Sequence, residues 1–373
     1  MKKTIIRLCI FLCISLTAQA QFLNDPKSKA LTVKGLDHMY NFEFEEADES
    51  FSPVIAQYKN HPVSHLINAL RIQWENLPIE ENPAALKRYI SELNKCIDLS
   101  EALYKKPATK VEATFFLLAS HGFIALIYNY QKEYMKAAGE AKSAHSYFKE
   151  GIKYKNSNPE FLFASGLYNY YREQYPETHP IVKPIVIFFE GGNKKLGLNE
   201  LELAVRNSIF SRIESATYLT TINIKYESNF RKAMSTAAWL HNKYPNNVIF
   251  TMKYTECLLL NENYDEAEKL KVALKSRKER TYQIANYVFE GIINEKKDND
   301  LKSALANYSR AVQLKPDGRY TEEYVGMAYL GMGRIFAKQK ETAKAKTYFK
   351  KTIEIANNEW VVKEAKSGLS NLK

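Results

Sequence analysis

Small and ring-bearing positions recur along this chain at helical spacing. In LKSALANYSRAVQLKP, residues 301–316, Ala304, Tyr308 and Ala311 stand at zero, four and seven, which puts them on one face of a helix. Pro316 lacks an amide hydrogen and ends that helix near residue 314 or 315. The same interval returns at Ala47, Phe51 and Val54, at Gly197, Leu201 and Ala204, and at Ala345, Phe349 and Thr352. It appears in a smaller form at Ala137, Ala141 and Ala144, and as Ala233, Ala237 and Leu240. Ala267 follows Ala233 by 34 residues. In that unit Lys271 holds the ring position, with Leu270 or Leu274 left to pack in its place. Gly35 and Gly333 each precede the next alanine of the pattern by twelve residues, where a first helix would cross a second. Two helices that share such a stripe bury it against each other, and neighbouring pairs then stack. The expected fold is all-α: a single α-solenoid of antiparallel helical hairpins over residues 30–372, preceded by a polar lead-in at 21–29. Residues 359–372 are expected to cap it, with Trp360, Val361 and Ala365 inward and lysines outward.

The pattern is most disturbed between residues 161 and 204. FLFASGLYNYYREQYP carries Tyr168, Tyr170, Tyr171 and Tyr175, and HPIVKPIVIFF follows, with Pro180 and Pro184 breaking any helix. Residues 176–193 therefore read as a divergent apolar insertion. Two readings of 181–189 stay open: a segment packed into the solenoid, or an exposed patch for a partner or a membrane surface centred on Ile185, Ile187, Phe188 and Phe189. Gly191 and Gly192 form a tight turn, since neither the glycine spacing nor the Lys-Ser/Thr pair of a phosphate loop is present. Tyrosine and arginine anchor interfaces well. Tyr168, Tyr171 and Arg172 on this helix, with Tyr218 and Lys225 on the next first helix, are accordingly the candidate partner-binding residues.

The N-terminus reads as an export signal, with basic Lys2, Lys3 and Arg7, an apolar run at 10–16 and a small-x-small site at Ala18-Gln19-Ala20. Cleavage near Ala20 would remove residues 1–20 and lower the formal charge of +11 by three. The expected location is periplasmic, or peripheral at an envelope membrane. Leu12 before Cys13 is not the small residue that lipid attachment at that cysteine requires. The remaining positive charge favours acidic partners or anionic surfaces, but no basic run is long enough to argue for nucleic acid. Cys96 and Cys257 are 161 residues apart and are expected to be buried thiols, since distant repeats of a solenoid seldom touch. The apolar stretch 115–130 is interrupted by Ser120, His121 and Asn129.

Candidate chemistry is sparse. No zinc-protease, nucleophile-elbow, Walker or paired-cysteine motif is present. His61 and His65 are four apart, yet His61 precedes Pro62 and falls outside the helix, so no metal ligand set forms. His121 and His145 lie on facing helices of one hairpin and read as ordinary half-buried residues. No catalytic, cofactor or metal residue is assigned.

The repeated stripe and its 34-residue period resemble the tetratricopeptide repeat (TPR) family, most closely over residues 213–357. The resemblance implies a right-handed superhelix whose concave face binds proteins or peptides, and no enzymatic activity. The lysine and asparagine with which some members grip a C-terminal carboxylate are missing, their places being held by Tyr218 and Ile222, Met252 and Glu256, and Leu330 and Arg334. More loosely, GLYNYY, the prolines after it, EGG and KKLGLNELELA look like a divergent TPR group of bacterial envelopes. That group implies a scaffold.

Overall fold

The computed structural model describes residues 21–178, 183, 190–314, 316 and 321–372. Every element among them is helical. Antiparallel pairs follow one another: α1 (Pro26–Tyr40) with α2 (Phe44–Gln57), α3 (Pro62–Glu75) with α4 (Pro83–Tyr104), and α5 (Lys110–Tyr130) with α6 (Tyr134–Gly151). Next come α7 (Glu160–Thr178) with α8 (Lys194–Asn207) and α9 (Arg212–Lys225) with α10 (Phe230–Lys243). In the following pair α11 (Val248–Leu260) meets a broken second helix, α12 (Tyr264–Leu270) and α13 (Val272–Lys275). The last pairs are α14 (Arg280–Lys296) with α15 (Leu301–Gln313) and α16 (Glu322–Lys338) with α17 (Thr342–Ile355), closed by α18 (Glu359–Ser370). The architecture is an α-solenoid of helical hairpins.

The stripe is the hairpin interface. Ala304, Tyr308 and Ala311 are fully buried, as are Ala47 and Val54, Leu201 and Ala204, and Ala345. Ring meets glycine across the pair. A Cβ on Gly35 would stand 2.4 Å from the Phe51 ring, one on Gly291 2.5 Å from Tyr308, and one on Gly333 2.6 Å from Phe349. Gly291 is a member of this series that the twelve-residue rule misses. At the junction of α12 and α13 Lys271 is buried and ion-paired with Glu290, while Leu274 takes the packing role.

The turns repeat as well. Phe42, Lys132, Ser228, Glu262, Asn299 and Lys340 all have φ between 50° and 62°, each two residues before a second helix begins. After Phe42, Lys132, Glu262 and Lys340 the next amide donates back to the carbonyl five residues earlier, as in Glu43 N–H to His38 O. This is the left-handed helix stop that satisfies otherwise orphaned carbonyls. Glycine usually supplies it, and here none of the six is glycine.

Two boundaries and one inward residue differ from expectation. The lead-in is structured: Phe22 is fully buried between Tyr58 and Phe210, at ring distances of 5.8 and 5.9 Å, and α1 begins at Pro26 with Asp25 as its cap. Helix α7 continues through buried Pro176 to Thr178, so helix occupies the expected start of the insertion. At the C-terminus Val361 and Ala365 are buried, whereas Trp360 is half-buried, 5.6 Å from the Phe230 ring. The patch residues Ile185, Ile187, Phe188 and Phe189 and the export signal lie outside the described residues. Helix α5 is long and apolar enough to cross a membrane by length and composition, with mean hydropathy 1.6, but half of it is buried. Phe115, Phe116 and Leu117 sit in the first core with Phe161 and Phe210.

Candidate partner-binding site

Side chains on the first helices of the hairpins reach partners on helices distant in the sequence. Tyr40 at the end of α1 donates to Glu214 on α9 at 3.1 Å. The Tyr244 hydroxyl donates to Asp37 at 2.6 Å, and Arg212 and Lys243 pair with the same carboxylate. Farther along, Gln174 on α7 donates to Glu359 on α18 at 2.9 Å, and Lys225 at the end of α9 pairs with Glu323 on α16 at 3.4 Å. Tyr324 donates to buried Glu256, which also holds Lys253 at 2.6 Å. Residues separated by 68 to 207 positions are thus joined by polar contacts.

The candidate residues divide around this seam. Tyr171 meets Tyr170 and Tyr226 edge-on, with ring centroids 5.4 and 6.0 Å apart. Tyr218 lies beside Tyr171 and meets Phe163 at 5.5 Å. Lys225 lies 5.5 Å over the Tyr226 ring and reaches Glu323. These three therefore gather in one half-buried aromatic and charged patch. Tyr168 turns the other way, packing on Phe148 at 5.0 Å and donating to the Glu190 carbonyl at 2.9 Å. Arg172 also turns away: its stem lies against Gly192, where an added Cβ would come within 2.7 Å of the Arg172 Cβ. Close approach is what requires glycine at position 192.

Electrostatics follow burial. Burial pushes Tyr226 up to about 12, with Glu323 and Glu359 adding to it. Burial also raises Glu323, and Lys225 and the Asn357 and Asn358 amides oppose it without cancelling it. Burial raises Glu214 to about 7, helped by nearby Glu160 and opposed by the Tyr40 hydroxyl and Arg212. Glu214 then keeps its proton to near neutrality when folded and loses it near 4.5 when unfolded. Stability from this group is present in mild acid and is lost as pH rises toward 7. Glu214→Gln is expected to be more stable than the parent by about 1–2 kcal/mol at pH 8, allowing for solvent at the half-buried carboxylate. The gain should vanish at pH 5; thermal melts at the two pH values measure it.

Partners missed in the sequence are Tyr226, Glu323, Gln174 and Glu359. Tyr226 follows Tyr218 by eight residues and was legible as the same face; the others carry no local signal. The histidines find carboxylates: His65 meets Glu92 at 2.7 Å and His121 meets Glu140 at 2.6 Å, stacked on Tyr147. No cluster of three or more metal-ligating side chains occurs among the described residues. Cys96 and Cys257 are buried free thiols, and burial pushes Cys96 up to about 12. A thiol so placed is a poor nucleophile.

No family model matches the chain, and no curated protein matches it. The crystal structure of yeast Tom70 is similar to it over 91% of this chain and 95% of that chain, with a TM-score of 0.29 and 14% identity. The solenoid architecture rests on the hairpins described above.

Proposed function

We propose that the chain is an exported, non-enzymatic scaffold that binds a protein or peptide through the patch formed by Tyr171, Tyr218, Tyr226 and Lys225. The observation that supports this reading is the gathering of half-buried rings and a lysine from two successive first helices beside an ion pair with a third. Half-buried tyrosines give large contact area at small entropic cost, and a flanking charge sets orientation. The basic start, apolar run and small-x-small site of residues 1–20 support export with cleavage near Ala20, to the periplasm or an envelope membrane. No cofactor or nucleic acid enters this function.

Thr217 is exposed on α9 beside Tyr218, so a photo-crosslinking residue there should leave the fold intact. In cells, a discrete crosslinked protein is the expected product. Tyr218→Ala should cut its yield about tenfold, as loss of an interface anchor does. Adducts unchanged by Tyr218→Ala would place the partner elsewhere.

A further inference from the structure

The first described residues fold over a cleft of about 350 Å³. Leu23, Val111, Pro159 and Ile209 form apolar walls, with Glu112, Asn158 and Glu160 among its polar lining. Two buried atoms here have no hydrogen-bond partner, Glu112 Oε2 and Asn158 Nδ2, on residues that are 3% and 8% exposed. The other Glu112 oxygen accepts the Leu23 amide at 2.8 Å. His61 Nε2 stands 3.5 Å from Oε2, too far for a good hydrogen bond. Because the Asn158 oxygen accepts the Glu160 amide at 3.1 Å, its NH₂ group is left as the unused donor. Glu160 is already engaged, accepting the Phe210 amide at 3.2 Å and that of Ile209.

A carboxylate oxygen and an amide donor that both lack a hydrogen bond, on residues lining one cleft, match a cation joined to a hydrogen-bond acceptor, which is the chemistry of a peptide N-terminus. Buried groups of this kind are costly to leave unsatisfied. Gln21 also lines the cleft, its side chain donating to the Ala108 carbonyl and accepting from Asn24. Two residues on, Leu23 is already bonded to Glu112, and two residues span at most about 7 Å. We propose that the cleft receives the chain's own α-ammonium group at Gln21, with Glu112 as its counter-ion and Asn158 donating to an oxygen of the same terminal residue. This rests on the reading that cleavage separates Ala20 from Gln21. Lys29 also lines the cleft, and is the cation an unprocessed chain would have to use instead. Processing then completes the fold's N-terminal anchor as well as releasing the protein.

The test has two parts. Intact mass of the protein recovered from exporting cells gives its first residue. Separately, the processed chain is prepared with a free or an acetylated Gln21 amine, each with and without Glu112→Gln. Acetylation should lower the melting temperature of the parent by about 2–4 °C and speed amide exchange at Leu23 about threefold or more. Neither change is expected in Glu112→Gln. The difference should also fade as pH rises past the ordinary α-amino range near about 8. Equal effects of acetylation in both backgrounds, or no effect in either, would overturn the proposal. A first residue other than Gln21 would instead remove the cleavage reading. Gln21 recovered as the cyclised, ammonia-free form leaves cleavage standing but overturns the α-ammonium site.

Discussion

Tyr308→Ala is expected to destabilise the protein by about 3–5 kcal/mol, the range for deleting a fully buried ring. Tyr308 has no exposed surface. Its ring, carried by α15, fills the space left by Gly291 on α14 and by Gly331 on α16; a Cβ at those sites would stand 2.5 and 2.3 Å from it. One side chain thereby joins two successive hairpins. Glycine backbone faces the ring from both neighbouring helices and collapses poorly into a hole, so the upper half of the range is expected. The hydroxyl donates to Glu295 at 2.7 Å. Tyr308→Phe keeps the ring and loses that bond, and should cost about 1.5–3 kcal/mol, as for a hydrogen bond to a charged group. Urea titration orders the three proteins. Because each repeat of a solenoid contacts mainly its neighbours, exchange should accelerate first in α14–α18 and little in α1–α6. A Tyr308→Ala protein with parental stability would remove the ring from its role between hairpins.

The stripe that contains Tyr308 was legible because everything it needs is local. Spacing of four and seven residues fixes a helix face, and Ala47, Phe51 and Val54 or Ala345 and Phe349 are buried as the interval requires. The twelve-residue glycine rule was too strict, since Gly291 lies thirteen residues before Ala304 and still faces Tyr308. The turns were illegible for a different reason. Phe42, Lys132 and Glu262 adopt left-handed backbone without glycine, because stacking on either side fixes the chain direction and outweighs a small local cost. Phe22 gave no periodic signal, being one ring in a polar stretch, and only its docking against Phe210 reveals the anchor. The candidate patch was half legible. Tyr171, Tyr218 and Lys225 come from adjacent hairpins, whereas Glu323 joins Lys225 across 98 residues. That pairing depends on the superhelical path, which sums small angles over several hairpins and leaves no mark in any short stretch.

Arg334→Ala is expected to cost about 3–5 kcal/mol at pH 7, because it takes from the buried Glu295 carboxylate its two-pronged partner and leaves only the Tyr308 hydroxyl and, at 3.8 Å, Lys296. Glu295 is 6% exposed at its side chain and receives both Nε and Nη2 of Arg334, at 2.7 and 2.6 Å, besides the Tyr308 hydroxyl. Arg334 reaches Glu364 on α18 at 3.0 Å as well, so it links α14, α16 and the capping helix. Burial pushes the Glu295 carboxyl up, but the hydrogen bonds and charge of Arg334 together with Tyr308 outweigh it, and the group stays below its usual value. A depressed carboxylate contributes stability above its unfolded value, and that contribution is lost as pH falls through the folded one. In Arg334→Ala the sign reverses. Glu295 keeps its burial without its partner, its proton binds more readily in the folded state, and the deficit should shrink steadily from pH 7 to pH 4. A deficit independent of pH would assign the loss to packing of the guanidinium stem instead. Replacing both residues by methionine removes the charge together with its partner and should recover most of the stability at pH 7. Since Tyr308 and Arg334 share Glu295, their substitutions should combine for less than the sum of their separate costs, and a double-mutant cycle reads that coupling directly.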